Sequence, residues 1–495
     1  MMFKFYITTP IYYPNAKPHI GSAYTTLVAD SLARLYRSLG YKVFFLTGID
    51  EHGEKIYKIA KKHGQKPKEY VDKIVEIYKH IWKRMDITYD RFIRTSDKDH
   101  EKKVKEILEL VYKKGDIYKS KYEGYYCVDC ESYYTEKDLI DGKCPYHLKK
   151  LEKRTVDSYF FKLSKYKQKL LELYEINREF LPPNYRENII QRVKELKDIS
   201  ISRPKSQLQW GIELPFDKSH VTYVWFDALI NYISGIQQTN MDFWPPDVQL
   251  MGKDIIWFHT TLWPAMLMSI GLDLPKREIA HGFLTVDNKK MSKSLGNIVD
   301  PETVIDTWGS DALRYYLLFK VPFGNDGDFS WKIFKEMYAK ELIGNIGNLA
   351  NRIVVLSNKI LKNVEPFNVD DTLAIKFEFV KTTLRNFAKI NNTEGIITNG
   401  FWKAISFFTD LNTYLNENEI WKTKDKNAML NALEGLFVSS SLLGPILPSA
   451  ANNIAHAFGL KKPVDINMLK PFGQNVKQLP NVKRLILYKK VEENG

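Results

Sequence analysis

The chain has 495 residues, with 73 Lys+Arg against 59 Asp+Glu, 10 His and 3 Cys. At roughly 150 residues per domain the length allows about three domains, and 44% hydrophobic with 27% charged residues excludes disordered and collagen-like chains. Three Cys exclude a disulfide framework and favour a reducing, cytoplasmic compartment, while a net charge of +14 fits either a Lys-rich solvated surface or a polyanionic partner.

Residues 3–9 predict a short buried strand, followed by a Pro- and Asn-rich loop to Pro18. From Gly21 to Leu39 the apolar positions Leu27, Val28, Leu32 and Leu35 recur at helical spacing, and Gly40 is a natural stop. Val43 to Leu46 predicts a second strand, and Gly48 to Gly53 a polar loop before further helix. Strand, helix, strand is a βαβ unit, so the expected class is α/β with a parallel sheet that binds ligands at the carboxyl ends of its strands. Helical patterning runs on to Lys114. From Asp116 to Tyr223 the texture changes to short strands, turns and the cysteines, which predicts an inserted domain. Val221 to Phe226 reads as a strand resuming the sheet, with further strands near Leu250 and Ile279. The longest apolar stretch, Ile255 to Leu272, is broken by His259, Thr260, Thr261 and Pro264, and reads as core rather than a membrane span. Beyond Lys340 the pattern is almost wholly helical, with a linker at Pro366 to Asp371 and a strand-like tail, Arg484 to Tyr488. The expected units are 1–115 and 223–275 as two halves of a nucleotide-binding domain, 116–222 as the insertion, 276–340 as a connecting segment, and 341–495 as a helical domain.

Three clusters carry chemistry. Pro18-His19-Ile20-Gly21-Ser22 stands between the first strand and the first long helix, where Gly21 lets backbone approach a phosphate and the helix N-terminus adds N–H groups and positive dipole. His19 can donate to phosphate oxygens, although such a turn alone is a weak signal. The run from Lys289 to Asn297 is more specific. Its Lys289, Lys290, Ser292, Lys293 and Ser294, beside Gly296, make a basic loop suited to pyrophosphate. Cys127-x₂-Cys130 and Cys144-x₂-His147, separated by 13 residues, use every cysteine and have the spacing of a closed, structural Zn²⁺ site.

The His-Ile-Gly and Lys-Met-Ser-Lys-Ser segments resemble the paired signatures of class I aminoacyl-tRNA synthetases, whose Rossmann-type domain is split by an insertion. Within that class, the segments Thr8 to Asn15, Leu46 to Gly53, Tyr223 to Tyr232 and Gly252 to His259 resemble those of the methionyl-tRNA synthetase family, in family order. They span the catalytic half, and the helical remainder is similar too. The length leaves no room for the editing domain of the valine, leucine and isoleucine enzymes.

The resemblance implies a parallel sheet split by a zinc-binding insertion, in the bacterial form with one knuckle, followed by an all-α anticodon-binding bundle. It implies ATP-dependent ligation of methionine to its tRNA through methionyl-adenylate, with release of pyrophosphate and AMP. His19, Lys290 and Lys293 are the implied catalytic residues. ATP, with Mg²⁺, is implied to lie against His19, Gly21, Ser22, Gly252, Asp254, Lys290 and Lys293. Methionine, unbranched and polarizable, suits an adaptable apolar pocket; the residues implied are Ile11, Tyr13, Trp225, Ala228, Leu229, Tyr232, Ile255 and His259, with Asp50 accepting from the ammonium. Asn348, Arg352 and Trp421 are implied to read the anticodon, Trp421 by stacking on a splayed base. Cys127, Cys130, Cys144 and His147 are the implied zinc ligands.

Two positions depart from the family pattern. Ser22 stands where a second His is usual, which implies transition-state stabilisation weaker by roughly 1–2 kcal/mol, and Ile420 stands where Pro is usual. Expected partners are tRNA, ATP and methionine, with no membrane; a monomer is expected, with a separate tRNA-binding chain as an optional partner. A catalytically silent tRNA-binding paralogue, a non-enzymatic zinc-knuckle protein and another class I synthetase stay open as alternatives.

Overall fold

The computed structural model describes residues 3–129, 132–134, 136–146, 148–291 and 296–491. At its centre lies a five-stranded parallel sheet. β1 (Lys4–Tyr12) runs through the middle, flanked on one side by β2 (Lys42–Ile49) and β3 (Arg91–Arg94). On the other side lie the strand Val248–Gly252 and the edge strand Glu278–His281. Neighbouring residues alternate between the two faces. Phe5, Phe45 and Leu250 join the cluster around α1 (Ile20–Ser38), and Tyr6, Leu46 and Met251 join a second cluster with Trp263 and Phe161. Both faces are covered, which is why these strands read as near-continuous apolar runs. β1 is interrupted between Thr8 and Ile11 by a register shift. Pro10 lies inside that interval and has no N–H to give the ladder.

The structure departs from expectation in four respects. β3, four residues long with Arg at both ends, has no counterpart in the sequence pattern. The strand Asp217–Thr222 stops before Tyr223 and pairs in a small antiparallel sheet with Ser202–Pro204 and Glu213–Leu214, not in the central one. Val224 to Phe226, expected as the end of a strand, instead open the short helix Val224–Ala228, where the Tyr223 carbonyl accepts from the N–H groups of Phe226 and Asp227 at 3.0 and 3.2 Å. The edge strand Glu278–His281 follows residue 275, so the sheet continues past the boundary placed there.

The insertion is built on a long hairpin rather than short strands. β4 (Ile117–Cys127) pairs antiparallel with Glu152–Phe161, from Ile117 against Phe161 to Tyr126 against Glu152. Helices Lys167–Ile176 and Arg186–Lys194 pack beneath it.

The C-terminal region is helical, with its longest helices at Asp371–Lys389, Phe401–Glu417 and Lys426–Leu443. The tail crosses it without forming the expected strand. Its neighbours are helices that offer no open strand edge, and side chains take over its backbone groups. Leu485 N donates to Asn351 Oδ1 at 3.1 Å and Tyr338 Oη donates to the Lys489 carbonyl at 2.8 Å. Upstream, the buried Glu434 carboxylate accepts from the N–H groups of Gly473, Asn475 and Val476. Among the described residues no helix is long and apolar enough to cross a membrane.

Glu278, 1% exposed, has no hydrogen-bond partner for either carboxyl oxygen among the described residues. Burial pushes its pKa well above the usual carboxylate range. The folded chain therefore keeps a proton that the unfolded chain releases above about pH 4.5, so this group's contribution to stability declines as pH rises from there. In Glu278→Gln the melting temperature, relative to the parent, should rise progressively between pH 5 and 8, by up to about 1.4 kcal/mol of stability per pH unit. A constant offset across that range would contradict it.

Candidate functional site

The expected site residues gather at the carboxyl edge of the parallel sheet. Tyr13 follows β1, Asp50 follows β2, Gly252 ends the strand Val248–Gly252 and Asp254 follows in the turn after it. At one corner α1 begins with His19 as its N-cap. His19 Nδ1 accepts from the Gly21 N–H at 3.0 Å, which in the neutral ring puts the proton on Nε2, aimed outward as a donor. Protein packed around the ring lowers its pKa, while its edge stays exposed.

Ser22 completes this cap. Its Oγ accepts from His19 N at 3.2 Å and donates to His19 O at 2.9 Å, a capping box with His19. The side chain is turned back onto the helix start and is nearly buried, so Ser22 orders His19 rather than reaching past it.

His281, at the end of the edge strand, ties this corner to the next strand. Its Nε2 lies 2.6 Å from Thr25 Oγ1 on α1, and its Nδ1 lies 2.8 Å from the Gly282 carbonyl. That carbonyl needs the proton on Nδ1, which leaves Nε2 to accept from Thr25. Burial pushes the ring's pKa down to about 4, so it is neutral. A methyl group on Gly252 would stand 2.5 Å from Asp254 Oδ1 and 3.8 Å from His281 Cε1. Only a residue without Cβ leaves Asp254 where it is.

The apolar half of the site lies on the second face. Ile11, Trp225 and Ile255 are partly buried against the cluster that contains Leu229 and Tyr232. Trp225 stacks on Phe258 with centroids 4.0 Å apart. Ala228 is nearly buried beside them in sequence. Tyr232 Oη is 2.7 Å from His259 Nε2, and His259 Nδ1 is 3.1 Å from the Ile255 carbonyl. The same tautomer logic makes His259 Nδ1 the donor and Tyr232 the donor to Nε2. Burial pushes His259 to about 4, so this wall carries no charge. Asp50, largely buried, has its N–H bound to the Tyr12 carbonyl at 2.9 Å, and Tyr13 has Lys55 Nζ 5.7 Å from its ring centre.

Other expected residues stand elsewhere. Lys290 is exposed on the two-residue strand Lys289–Lys290, paired with Leu284–Val286, and Met291 packs partly buried against the core. Lys293 lies outside the described residues, as do Cys130 and His147. Cys127 and Cys144 are both buried. In the helical region Arg352 is 4.2 Å above the Trp421 ring and donates to Asn416 Oδ1 at 2.9 Å. Asn348 is exposed one turn before Arg352.

Sequence reasoning missed His52, His100, Asp227 and His281. The first three form one buried cluster, with Asp227 between the two imidazoles. The only local signal was a His or Asp at the end of a strand or beside an aromatic run; their partners are more than 100 positions away.

A family model described as tRNA synthetases class I (M) matches residues 5–157 and 147–354. The methionine–tRNA ligase of Caldanaerobacter subterraneus subsp. tengcongensis is 43% identical over 506 residues, covering 98% of this chain and 78% of that one. The enzyme of the same name from Campylobacter jejuni is 41% identical, covering 99% and 81%. Among solved structures, Mycobacterium tuberculosis methionyl-tRNA synthetase in complex with methionyl-adenylate aligns with a TM-score of 0.90 at 33% identity, covering 99% of this chain and all of that chain. The apo form of that protein aligns at 0.83 with 30% identity, covering 99% of each.

Because Ser22 closes the cap, Ser22→Ala should lower stability by about 1 kcal/mol and raise the KM for ATP. Ser22→His, unable to close the box, should lower kcat as well. Both are read by pyrophosphate exchange and thermal melting; a faster Ser22→His enzyme would mean that the missing imidazole mattered more than the cap.

Proposed function

Since this chain belongs to the methionyl-tRNA synthetase family of the class I tRNA synthetases, we propose a division of labour among its residues for that family's reaction. The chain is an ATP-dependent methionine–tRNA ligase that works through methionyl-adenylate. The observation that carries the residue assignment is the pairing, along one sheet edge, of a phosphate corner at His19 with an uncharged aromatic wall at Trp225, Tyr232 and His259.

Methionine lies with its thioether against Ile11, Tyr13, Trp225, Ala228, Leu229, Tyr232, Ile255 and His259. A neutral, polarizable wall suits a group with no charge and no strong hydrogen bond to offer. Its ammonium meets Asp50. The triphosphate lies along the start of α1, where Gly21 and the N-terminal dipole face it and His19 Nε2–H donates to it. Asp254 accepts from the ribose hydroxyls, at a position that Gly252 keeps open.

The methionine carboxylate attacks the α-phosphorus in line, forming the acyl–phosphate bond as the bond to pyrophosphate breaks. No protein nucleophile takes part, so the chain's residues act by placement and charge. Lys290 and Lys293 offset the charge on the leaving pyrophosphate. Mg²⁺ accompanies the nucleotide and neutralises part of its charge. A hydroxyl at the 3′ end of tRNA then attacks the adenylate's carbonyl carbon, and AMP leaves.

The insertion's thiols suit a metal. Cys127 ends β4, Cys144 lies in the loop that leads back to the strand Glu152–Phe161, and both are buried. With Cys130 and His147 they make a Cys₃His set, which would hold Zn²⁺ as a structural cross-link. Arg352 and Trp421 offer a stacked, cationic surface for the anticodon, and Asn348 shares that helix face. Action in the cytoplasm as a monomer, with or without a separate tRNA-binding chain, completes the reading.

The purified chain should exchange pyrophosphate into ATP only when methionine is present, and failure with methionine would remove the assignment. Metal analysis should return about one zinc per chain, and none would remove the knuckle. Trp421→Ala should raise the KM for tRNA about 10-fold or more, on the scale of ~1–3 kcal/mol for one stacked base, while leaving adenylate formation unchanged. Equal losses in both steps would count against the anticodon role.

A further inference from the structure

The Asp227 carboxyl is fully buried on the short helix Val224–Ala228, between Trp225 and Ala228 of the thioether wall. Its Oδ2 accepts from His52 Nδ1 at 2.6 Å and its Oδ1 from His100 Nε2 at 2.7 Å. His52 follows Asp50 by two residues. His100 comes from the helix Lys98–Lys113, and its other nitrogen lies 2.7 Å from Ser234 Oγ. Ser234 ends the helix Asn231–Ser234, which carries Tyr232. One carboxyl therefore joins the loop after β2 to both short helices of the pocket.

The loop itself is fixed on its other sides. Asp50 N donates to the Tyr12 carbonyl at 2.9 Å, Glu51 N donates to Thr95 Oγ1 at 2.9 Å, and Gly53 N donates to the Trp210 carbonyl at 3.3 Å. The Trp210 indole N–H donates to the Glu51 carbonyl, and its ring meets His52 edge-on with centroids 5.2 Å apart. The contacts to Asp227 tie this loop to the helix opposite. Burial works against the ionised Asp227, but its two imidazoles outweigh that and hold it below the usual carboxylate range. Burial likewise opposes protonated His52, and Asp227 overcomes it, raising its pKa. The link is thus a charged, fully desolvated bridge, strong and directional because no water competes for it.

We propose that Asp227, held between His52 and His100, is a positioning residue for substrate length: it fixes the distance between the ammonium subsite at Asp50 and the thioether subsite at Trp225, Ala228 and Tyr232. This rests on the reading that those residues hold the two ends of methionine. An apolar pocket alone discriminates weakly against one extra methylene. A length test requires both ends of the substrate to be anchored on elements that cannot slide past each other, and Asp227 supplies that restraint.

The experiment uses the full chain in methionine-dependent and ethionine-dependent ATP–pyrophosphate exchange, ethionine being one methylene longer at sulfur. Asp227→Asn and His100→Leu should each lower the methionine-to-ethionine ratio of kcat/KM by fivefold or more, with the KM for ATP within twofold of the parent. His100→Gln, whose amide N–H can still reach Oδ1, should keep the parental ratio. A ratio within twofold of the parent in Asp227→Asn and His100→Leu, with both substrates slowed together, would overturn the proposal and leave Asp227 a fold-stabilising group. If circular dichroism shows Asp227→Asn unfolded, the two His100 variants decide. Asp50→Asn separates the premises. An unchanged methionine KM there removes the ammonium subsite and this proposal with it. A tenfold rise there, with an unaltered ratio in the other variants, overturns the length restraint alone.

Discussion

Between the parallel sheet and the helical region lies a guanidinium with no access to water. Arg314 is fully buried, and each of its nitrogens is used. Nε donates to the Ile446 carbonyl, Nη1 to the Met85 carbonyl, and Nη2 to Ser31 Oγ, the Pro445 carbonyl and the Asp30 carboxylate, the last at 2.8 Å. Asp30 also takes Arg34 Nε and both donors of Thr88. A buried ion pair of this kind is no guarantee of net stability, since desolvating both charges is costly. What it does guarantee is relative placement, because pulling either partner away strands a charge in the interior. Asp30 and Ser31 sit on α1, the helix whose first turn is His19, and residues 445 and 446 belong to the turn before the last bundle helix, Pro448–Ala457. The start of α1 and the C-terminal helical region are therefore referenced to the same buried guanidinium.

Within the site, charge is sorted by position. His259 and His281 are neutral, each held in one tautomer by a backbone carbonyl on one side and a hydroxyl on the other. Asp227 and Asp30 keep their charge because cations or imidazoles surround them. The aromatic wall around Tyr232 and the corner beside Thr25 thus carry no imidazolium charge. Charge at this edge of the sheet is carried instead by Asp50, Asp254 and the exposed Lys289 and Lys290.

Much of this could be read from the chain because the relevant signals are local. Gly40 with a positive φ after α1, the apolar spacing of that helix, and the position of His19 and Gly21 between strand and helix follow from a few adjacent residues. Motif likeness singled out Asp50 and Gly252, which stand at strand ends, and Trp225, which stands on a short helix. What was not legible has non-local causes. Val221 to Phe226 looks like one strand, yet its second half becomes helix once the Tyr223 carbonyl is claimed by two N–H groups. β3 is too short and too polar to announce itself. The tail has strand-like residues but no strand edge to join. His281, His100 and Asp227 each acquire a role from a partner in another element, and no spacing rule connects positions that far apart.

The insertion's hairpin has a consequence for how such a chain can change. Ten registered pairs separate its root, Ile117 against Phe161, from its tip beside Cys127, a reach of about 30 Å at roughly 3.3 Å per residue. The root residues Ile117 and Phe161 join the second apolar cluster, while near the tip Arg203 lies 5.3 Å over the Tyr126 ring. Lys55, which lies over the Tyr13 ring, is 3.6 Å from Asp129 at the tip, so exchanging the tip would remove a contact beside the sheet edge while leaving the root pairs in place.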